Sequence, residues 1–208
     1  MSKSKIEVPM RIAVKRLVLA TISAVLLAQA FVVAPTFAQS PAIDPALQAK
    51  ANGGDAPSQV LVGDAFAAGN GQPRSSSQLA EDLKQAAEWY RKAADKGDIA
   101  AEMRLAALYR DGRGVARDMA QAAEWYRRAA EQGDATAQAT LGVLYSMGQG
   151  VPQDYAEAYY WLDLAASAKG PNQGKYAANR QMVGTHITAD ELADVQERVA
   201  IWLAAHPR

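Results

Sequence analysis

Residues 86–94 read AAEWYRKAA, and residues 122–130 repeat this stretch almost unchanged as AAEWYRRAA. A degenerate third copy surrounds Trp161, which lies 36 residues after Trp125, just as Trp125 lies 36 residues after Trp89. A fixed period of this length is typical of solenoids, in which each unit buries its apolar face only by stacking on the next unit. The repeat therefore predicts an extended stack of similar units.

Within each unit the pattern predicts two helices joined by a glycine turn. In the middle unit the apolar side chains of the first helix recur on one face, at Ala101, Leu105, Leu108 and Tyr109. Gly112 and Gly114 follow where that helix must end, because glycine adopts positive φ without steric cost. Asp118 and Gln121 have the spacing of a capping box, so the aspartate is predicted to begin the second helix.

These patterns predict an all-α fold, an α-solenoid of antiparallel helix–turn–helix units. The three units are expected at residues 54–96, 97–132 and 133–170, after a flexible linker at 39–53. The first unit has seven extra residues after Gly71, rich in serine and proline, which indicate a loop or the start of a lengthened helix. Asp82 occupies the position that caps the second helix in the later units.

The third unit differs from the others on its outer helix. The first two units have i, i+4 charge pairs there, Glu88 with Lys92 and Glu124 with Arg128, which suit a solvated face. Tyr160 and Leu164 occupy the same positions in the third unit. A face that turns apolar is expected to be covered, either by the rest of this chain or by a partner.

Residues 171–208 are the predicted cover. Thr188 and Glu191 form a capping box, and apolar residues then recur at helical spacing, at Leu192, Val195, Val199, Trp202 and Leu203. We expect helices over 171–183 and 189–204 that form a capping hairpin at the end of the stack.

The N-terminus has the layout of a secretory signal peptide. Five basic residues precede an uncharged stretch from Leu17 to Ala34, and small residues follow at Thr36 and Ala38. We predict a signal peptide over 1–38 with cleavage after Ala38, and hence a periplasmic or secreted protein. The alternative is an uncleaved anchor, because eighteen apolar residues are just long enough to span a bilayer.

Composition argues against several functions. Without residues 1–38 the chain has 17 basic and 21 acidic residues, a net charge of about −4, and no basic patch for nucleic acid or a membrane surface. Cysteine is absent, so thiolate metal sites and cysteine nucleophiles are excluded. The two histidines, His186 and His206, lie near no acidic residue at ligand spacing. We predict no catalytic residue, no metal site and no cofactor.

The repeated set of residues resembles the Sel1-like repeat family, a branch of the tetratricopeptide superfamily. In the middle unit the residues that carry the resemblance are Leu105, Tyr109, Gly112, Gly114, Val115, Asp118, Ala122, Trp125, Tyr126, Ala129 and Gly133. The resemblance implies that the first helices line a concave face that binds proteins or peptides. It also implies roles as regulators or scaffolds, since exported members of this family include both.

Candidate binding residues lie on the first helices, away from the predicted core positions. They are Met103, Arg104, Ala107 and Arg110 in the middle unit and Ala139, Val143 and Ser146 in the next. Their mixture of small, apolar and polar side chains suits a peptide or helix laid along a groove, although an ordinary solvated helix surface has the same composition. The predicted function is a non-enzymatic envelope adaptor or regulator. The alternatives are an envelope hydrolase acting on wall fragments or β-lactams, and a membrane-anchored structural element.

Overall fold

The computed structural model describes residues 43–69 and 75–207, and within these ranges the chain forms nine helices and no strand. The helices are α1 Pro45–Asn52, α2 Ala56–Ala68, α3 Ser76–Ala94, α4 Ile99–Asp111, α5 Met119–Glu131, α6 Ala135–Met147, α7 Tyr155–Ser167, α8 Gln173–Gly184 and α9 Ala189–Ala205. The predicted all-α solenoid is confirmed. The helix pairs α2–α3, α4–α5 and α6–α7 are its three units, and each helix from α1 to α7 packs on the next one along the chain.

Aspartates begin the helices of the three units, as the capping pattern predicts. The carboxylate of Asp98 accepts a hydrogen bond from the Ala101 N–H at 2.9 Å, and Asp118 accepts from the N–H groups of Ala120 and Gln121. Each bond satisfies a backbone donor that has no partner inside the helix. Asp55, Asp134 and Asp154 cap α2, α6 and α7 in the same way.

Asp82 is an exception, and the prediction that it caps a helix is wrong. Helix α3 begins at Ser76, and the Ser75 side chain accepts from the Gln78 N–H instead. The inserted residues thus lengthen α3 to 19 residues, against 13 in α5 and α7. Asp82 lies inside the helix with 2% of its surface exposed and accepts a hydrogen bond from Gln78 Nε2.

The segment 39–53, expected as a flexible linker, contains helix α1. Ala51 in this helix is 1% exposed and its carbonyl accepts from Gln59 Nε2 at 3.0 Å. The spacing from Ala51 to Asp55 matches that from Ala94 to Asp98, where α3 ends and the next unit begins. Helix α1 therefore corresponds to the end of the second helix of a truncated unit that precedes the first full one.

Two helices cover the end of the stack, and each packs on a different face of α7. Tyr160 and Leu164, 9% and 0% exposed, are buried with Val195 and Val199 of α9, so this chain supplies the cover that the sequence predicts. Residues on the opposite face of α7, including Leu162, are buried with Tyr176 and Val183 of α8. Helices α8 and α9 barely contact each other, since each is held mainly by α7.

The predicted signal peptide at 1–38, with its cleavage site and the alternative anchor, lies outside the described residues. Among the helices that the structure does describe, none combines the length and the apolar character that a bilayer crossing requires.

Candidate functional site

The candidate residues on α4 are already engaged with the rest of the protein. Met103 is half-buried and packs against two core clusters. Arg104 forms an ion pair with Asp64 of α2, with Nε 2.6 Å from Oδ1 and Nη2 2.9 Å from Oδ2. Ala107 is half-buried beside them. The sequence predicted this face but not the bond that links α4 to α2.

Asp64 also accepts a hydrogen bond from the hydroxyl of Tyr90, at 2.7 Å. Burial and this bond to a carboxylate raise the pKa of Tyr90, so its hydroxyl stays protonated as a donor. The guanidinium of Arg104 therefore lies in a network with an acidic and a phenolic partner. Its bidentate geometry joins the first two units rather than leaving the arginine open for a ligand.

Arg110 is the exposed cation at the end of α4. Its guanidinium pairs with the neighbouring Asp111, with Nε 2.8 Å from Oδ1, and lies 3.3 Å from the Tyr126 hydroxyl. This hydrogen bond to Arg110 is the main reason why the pKa of Asp111 is lowered. Arg110 lies one turn beyond Ala107 and is exposed at the edge of the face, although its guanidinium is already paired.

Candidate residues on α6 line a groove. Ala139 and Val143 are its apolar lining residues on α6, and helix α8 from beyond the repeats lines its other side. The groove has a volume of about 270 Å³. Its lining residues are Thr136, Ala139, Thr140, Val143, Asn172, Lys175, Tyr176 and Asn179. Ser146 lies further along α6, and its hydroxyl donates to the Val143 carbonyl at 2.8 Å instead of facing a ligand.

The lining of the groove mixes polar and apolar side chains. Helix α6 contains no charged residue, so Lys175 of α8 supplies the positive charge of this groove. Two asparagine amides offer both donors and acceptors, while the Thr140 hydroxyl donates to the Thr136 carbonyl at 2.8 Å and can accept from a ligand. Such a lining can hydrogen-bond an extended backbone while a small apolar side chain enters between Ala139 and Val143.

Sequence reasoning missed the half of the groove that α8 provides. On α6 the lining residues recur at intervals of three and four, and on α8 they do the same at 172, 175, 176 and 179. This spacing places each set on one helical face and is visible in the sequence. The sequence does not show that the two faces pack together, because α8 lies outside the repeat and no other unit contains an equivalent helix.

The two histidines pack against aromatic side chains. His186 stacks on Tyr155 with ring centroids 4.5 Å apart, and His206 stacks on Trp202 at 4.0 Å. In the part of the chain that the structure describes, no group of three His, Asp or Glu side chains converges to hold a metal ion.

Comparison with known proteins identifies the repeat. A family model described as Sel1 repeat matches residues 56–98, 99–134 and 135–169, which is more than half of the chain. The matched segments coincide with the helix pairs α2–α3, α4–α5 and α6–α7. No curated protein shows significant similarity to the chain.

Two solved structures show the same architecture. A protective antigen present in uropathogenic Escherichia coli strains, which displays an SLR fold, is 28% identical over 76% of this chain with a TM-score of 0.55. A Sel1 repeat protein from Oxalobacter formigenes is 37% identical over 64% of this chain and 94% of its own length, with a TM-score of 0.52. The chain covers 40% of the antigen's length.

Proposed function

The chain belongs to the Sel1 repeat family, and from this premise we propose that it is a non-enzymatic adaptor of the cell envelope that binds a protein segment. Sel1 repeat proteins are generally protein-interaction modules, typically without catalysis. The groove between α6 and α8 is the observation that favours this site over the rest of the first-helix face. On α4 the position equivalent to Thr140 holds Arg104, which is paired with Asp64, whereas on α6 Thr140 lines the groove.

The proposed ligand is an extended segment of a partner protein with a small apolar side chain. The apolar lining residues Ala139 and Val143 accept that side chain, and the amides of Asn172 and Asn179 form hydrogen bonds with the backbone of the segment. Lys175 favours a segment that carries an acidic residue next to the apolar one. The volume of about 270 Å³ accommodates a few residues, so neighbouring surface contributes the remaining contacts.

A photo-crosslinking residue in place of Asn179 tests the site. We expect specific adducts in cells from position 179 and none from Glu88, an exposed position on α3. Thr140→Arg is expected to reduce the adduct at least about tenfold, because the larger side chain fills the groove. The equivalent position on α4 is naturally Arg104, so the helix tolerates this change. The yield of the adduct is measured on gels and its partner by mass spectrometry.

The matched control is Gln149→Arg, an exposed substitution outside the groove, which is expected to leave the adduct unchanged. Equal adducts from positions 179 and 88, or a Thr140→Arg variant that crosslinks as well as the control, would refute the groove as the binding site.

Export is a separate part of this proposal. The charged, apolar and small-residue segments of the N-terminus support it. The protein recovered from the periplasmic fraction is expected to have an intact mass that lacks residues 1–38. Recovery of the full-length mass from the membrane fraction would instead support the anchored alternative.

A further inference from the structure

One position of the first helix is polar and completely buried in every unit. It holds Gln59 in α2, Glu102 in α4 and Gln138 in α6, with exposed fractions of 4%, 2% and 0%. The three residues follow the capping aspartates Asp55, Asp98 and Asp134 by the same four positions. They are therefore equivalent, and the middle unit alone has an acid there.

The two glutamines show what this position does. Gln59 Nε2 donates to the Ala51 carbonyl at 3.0 Å, and Gln138 Nε2 donates to the Ala130 carbonyl at 3.1 Å. Each carbonyl belongs to the end of the helix that precedes the unit. The buried amide thus joins one unit to the next, and the equivalent carbonyl for Glu102 is that of Ala94 at the end of α3.

A carboxylate cannot make this bond. An ionised glutamate has only acceptor oxygens, so against a carbonyl it would leave two acceptors facing each other inside the core. One oxygen of Glu102, Oε2, already accepts from Gln132 Nε2 at 2.8 Å. The other oxygen can donate a hydrogen bond, as the amide nitrogen of the glutamines does, only if it holds a proton.

We propose that Glu102 links the first two units through a hydrogen bond that depends on its protonation. In the folded protein it is a neutral acid, and its carboxyl group donates a hydrogen bond to the Ala94 carbonyl. Loss of the proton removes this bond and leaves a buried charge between α3, α4 and α5. Glu102 lies one residue from Met103 and two from Arg104, so its ionisation acts directly on the helix that carries half of the candidate face.

Burial favours the neutral form of Glu102, and the groups around it act in both directions. Burial is the largest influence and raises its pKa to about 7. Arg128 on α5 and the hydrogen bond from Gln132 oppose this shift, while Asp98, the N-cap of α4, and Glu131 on α5 add to it. From α3 the group expected to face Glu102 is the Ala94 carbonyl, the equivalent of the carbonyls that Gln59 and Gln138 contact.

The direction of the pH effect follows from proton binding. Between the ordinary pKa of a glutamate, about 4.5, and the folded pKa of about 7, the folded protein binds a proton that the unfolded chain has lost. Stability therefore falls as the pH rises through this window and levels off above it. From pH 5 to pH 8 the unfolding equilibrium constant is expected to rise roughly 10- to 100-fold from this group, or about 1.4 to 2.7 kcal/mol.

The test compares Glu102→Gln with the unmodified protein by urea unfolding at pH 5, 6, 7 and 8. The variant is expected to be more stable at pH 8 and to lose this rise in the unfolding constant, because an amide donates at every pH. Gln138→Glu is the reciprocal variant, and it is expected to introduce a new loss of stability above pH 6 in the third unit. Glu197→Gln, at an exposed position on α9 that has no influence on Glu102, is the control and keeps the original profile.

A second measurement reports the proton itself. The carboxyl resonance of Glu102, assigned by its absence from Glu102→Gln, is expected to titrate near pH 7 in the folded protein. A resonance that titrates below pH 5, or a Glu102→Gln variant with the same pH profile as the unmodified protein, would overturn the proposal. Both measurements are independent of any partner.

Discussion

The Gly150→Ala variant is expected to lose at least about 3 kcal/mol of unfolding free energy. Gly150 has φ +74°, which L side chains rarely adopt. A Cβ there would also lie 2.0 Å from the Met119 carbonyl oxygen and 2.3 Å from its carbon. Backbone cannot move aside as a side chain can, so strain and collision act together.

The collision is a property of the stack and not of the turn alone. Gly150 belongs to the turn of the third unit, and Met119 begins the second helix of the unit before it. Gly114, its equivalent, meets Leu83 of the preceding unit in the same way, with a Cβ 2.4 Å from the Leu83 oxygen. Because Gly114 and Gly150 have no side chain, adjacent units can approach each other this closely.

Gly174→Ala is the matched control, because a Cβ at that position has no neighbour within 4 Å and the residue lies in helix α8. We expect it to be neutral or to stabilise by up to about 1 kcal/mol, as alanine favours helix. Unfolding in urea, followed by circular dichroism, measures both variants. Equal stability of the two would show that the units do not stack through this turn.

Most of the fold is predictable from the sequence because the same helix–turn–helix pattern recurs along the chain. The period gives the number of units, and the aspartates Asp98, Asp118 and Asp134 mark where helices begin. Gly112 and Gly114 are predictable as points of positive φ, and both have it. The contact of Gly114 with the previous unit is not predictable, because it depends on the distance between helices far apart in sequence.

The errors fall where the repeat is incomplete. Helix α1 preserves only the last part of a unit, so Ala51 and Asp55 match the pattern while the residues before them do not. In the first unit, an earlier cap at Ser75 replaces the one expected at Asp82, because the inserted residues continue the helix. Half of the groove is missing from the prediction for a similar reason, since Asn179 and Lys175 belong to a helix without an internal copy.

The Leu164→Arg variant is expected to release helix α9 from the end of the stack. Leu164 is fully buried against Val195 and Val199, and the equivalent residue in the middle unit is Arg128 on a solvated face. Arginine would restore that charged face, at a loss of about 3–5 kcal/mol, since the leucine contacts disappear and an unpaired charge faces the apolar side of α9. Amides of residues 189–205 are expected to lose hydrogen-exchange protection, while those of α4 and α5 retain it.

Ile201→Arg is the matched control for this experiment, because it places the same side chain on α9 at a position that is 63% exposed. We expect its stability to stay within about 0.5 kcal/mol of the unmodified protein. Leu164→Ala provides an intermediate step of about 2–5 kcal/mol, and it keeps the exchange measurement possible if the arginine variant fails to fold. α9 could instead remain as protected from hydrogen exchange in Leu164→Arg as in Ile201→Arg. That result would show that the apolar residues Tyr160 and Leu164 are not what holds α9 on the stack. The cover would then depend on the Arg198–Glu157 pair between α9 and α7, which Arg198→Ala would test directly.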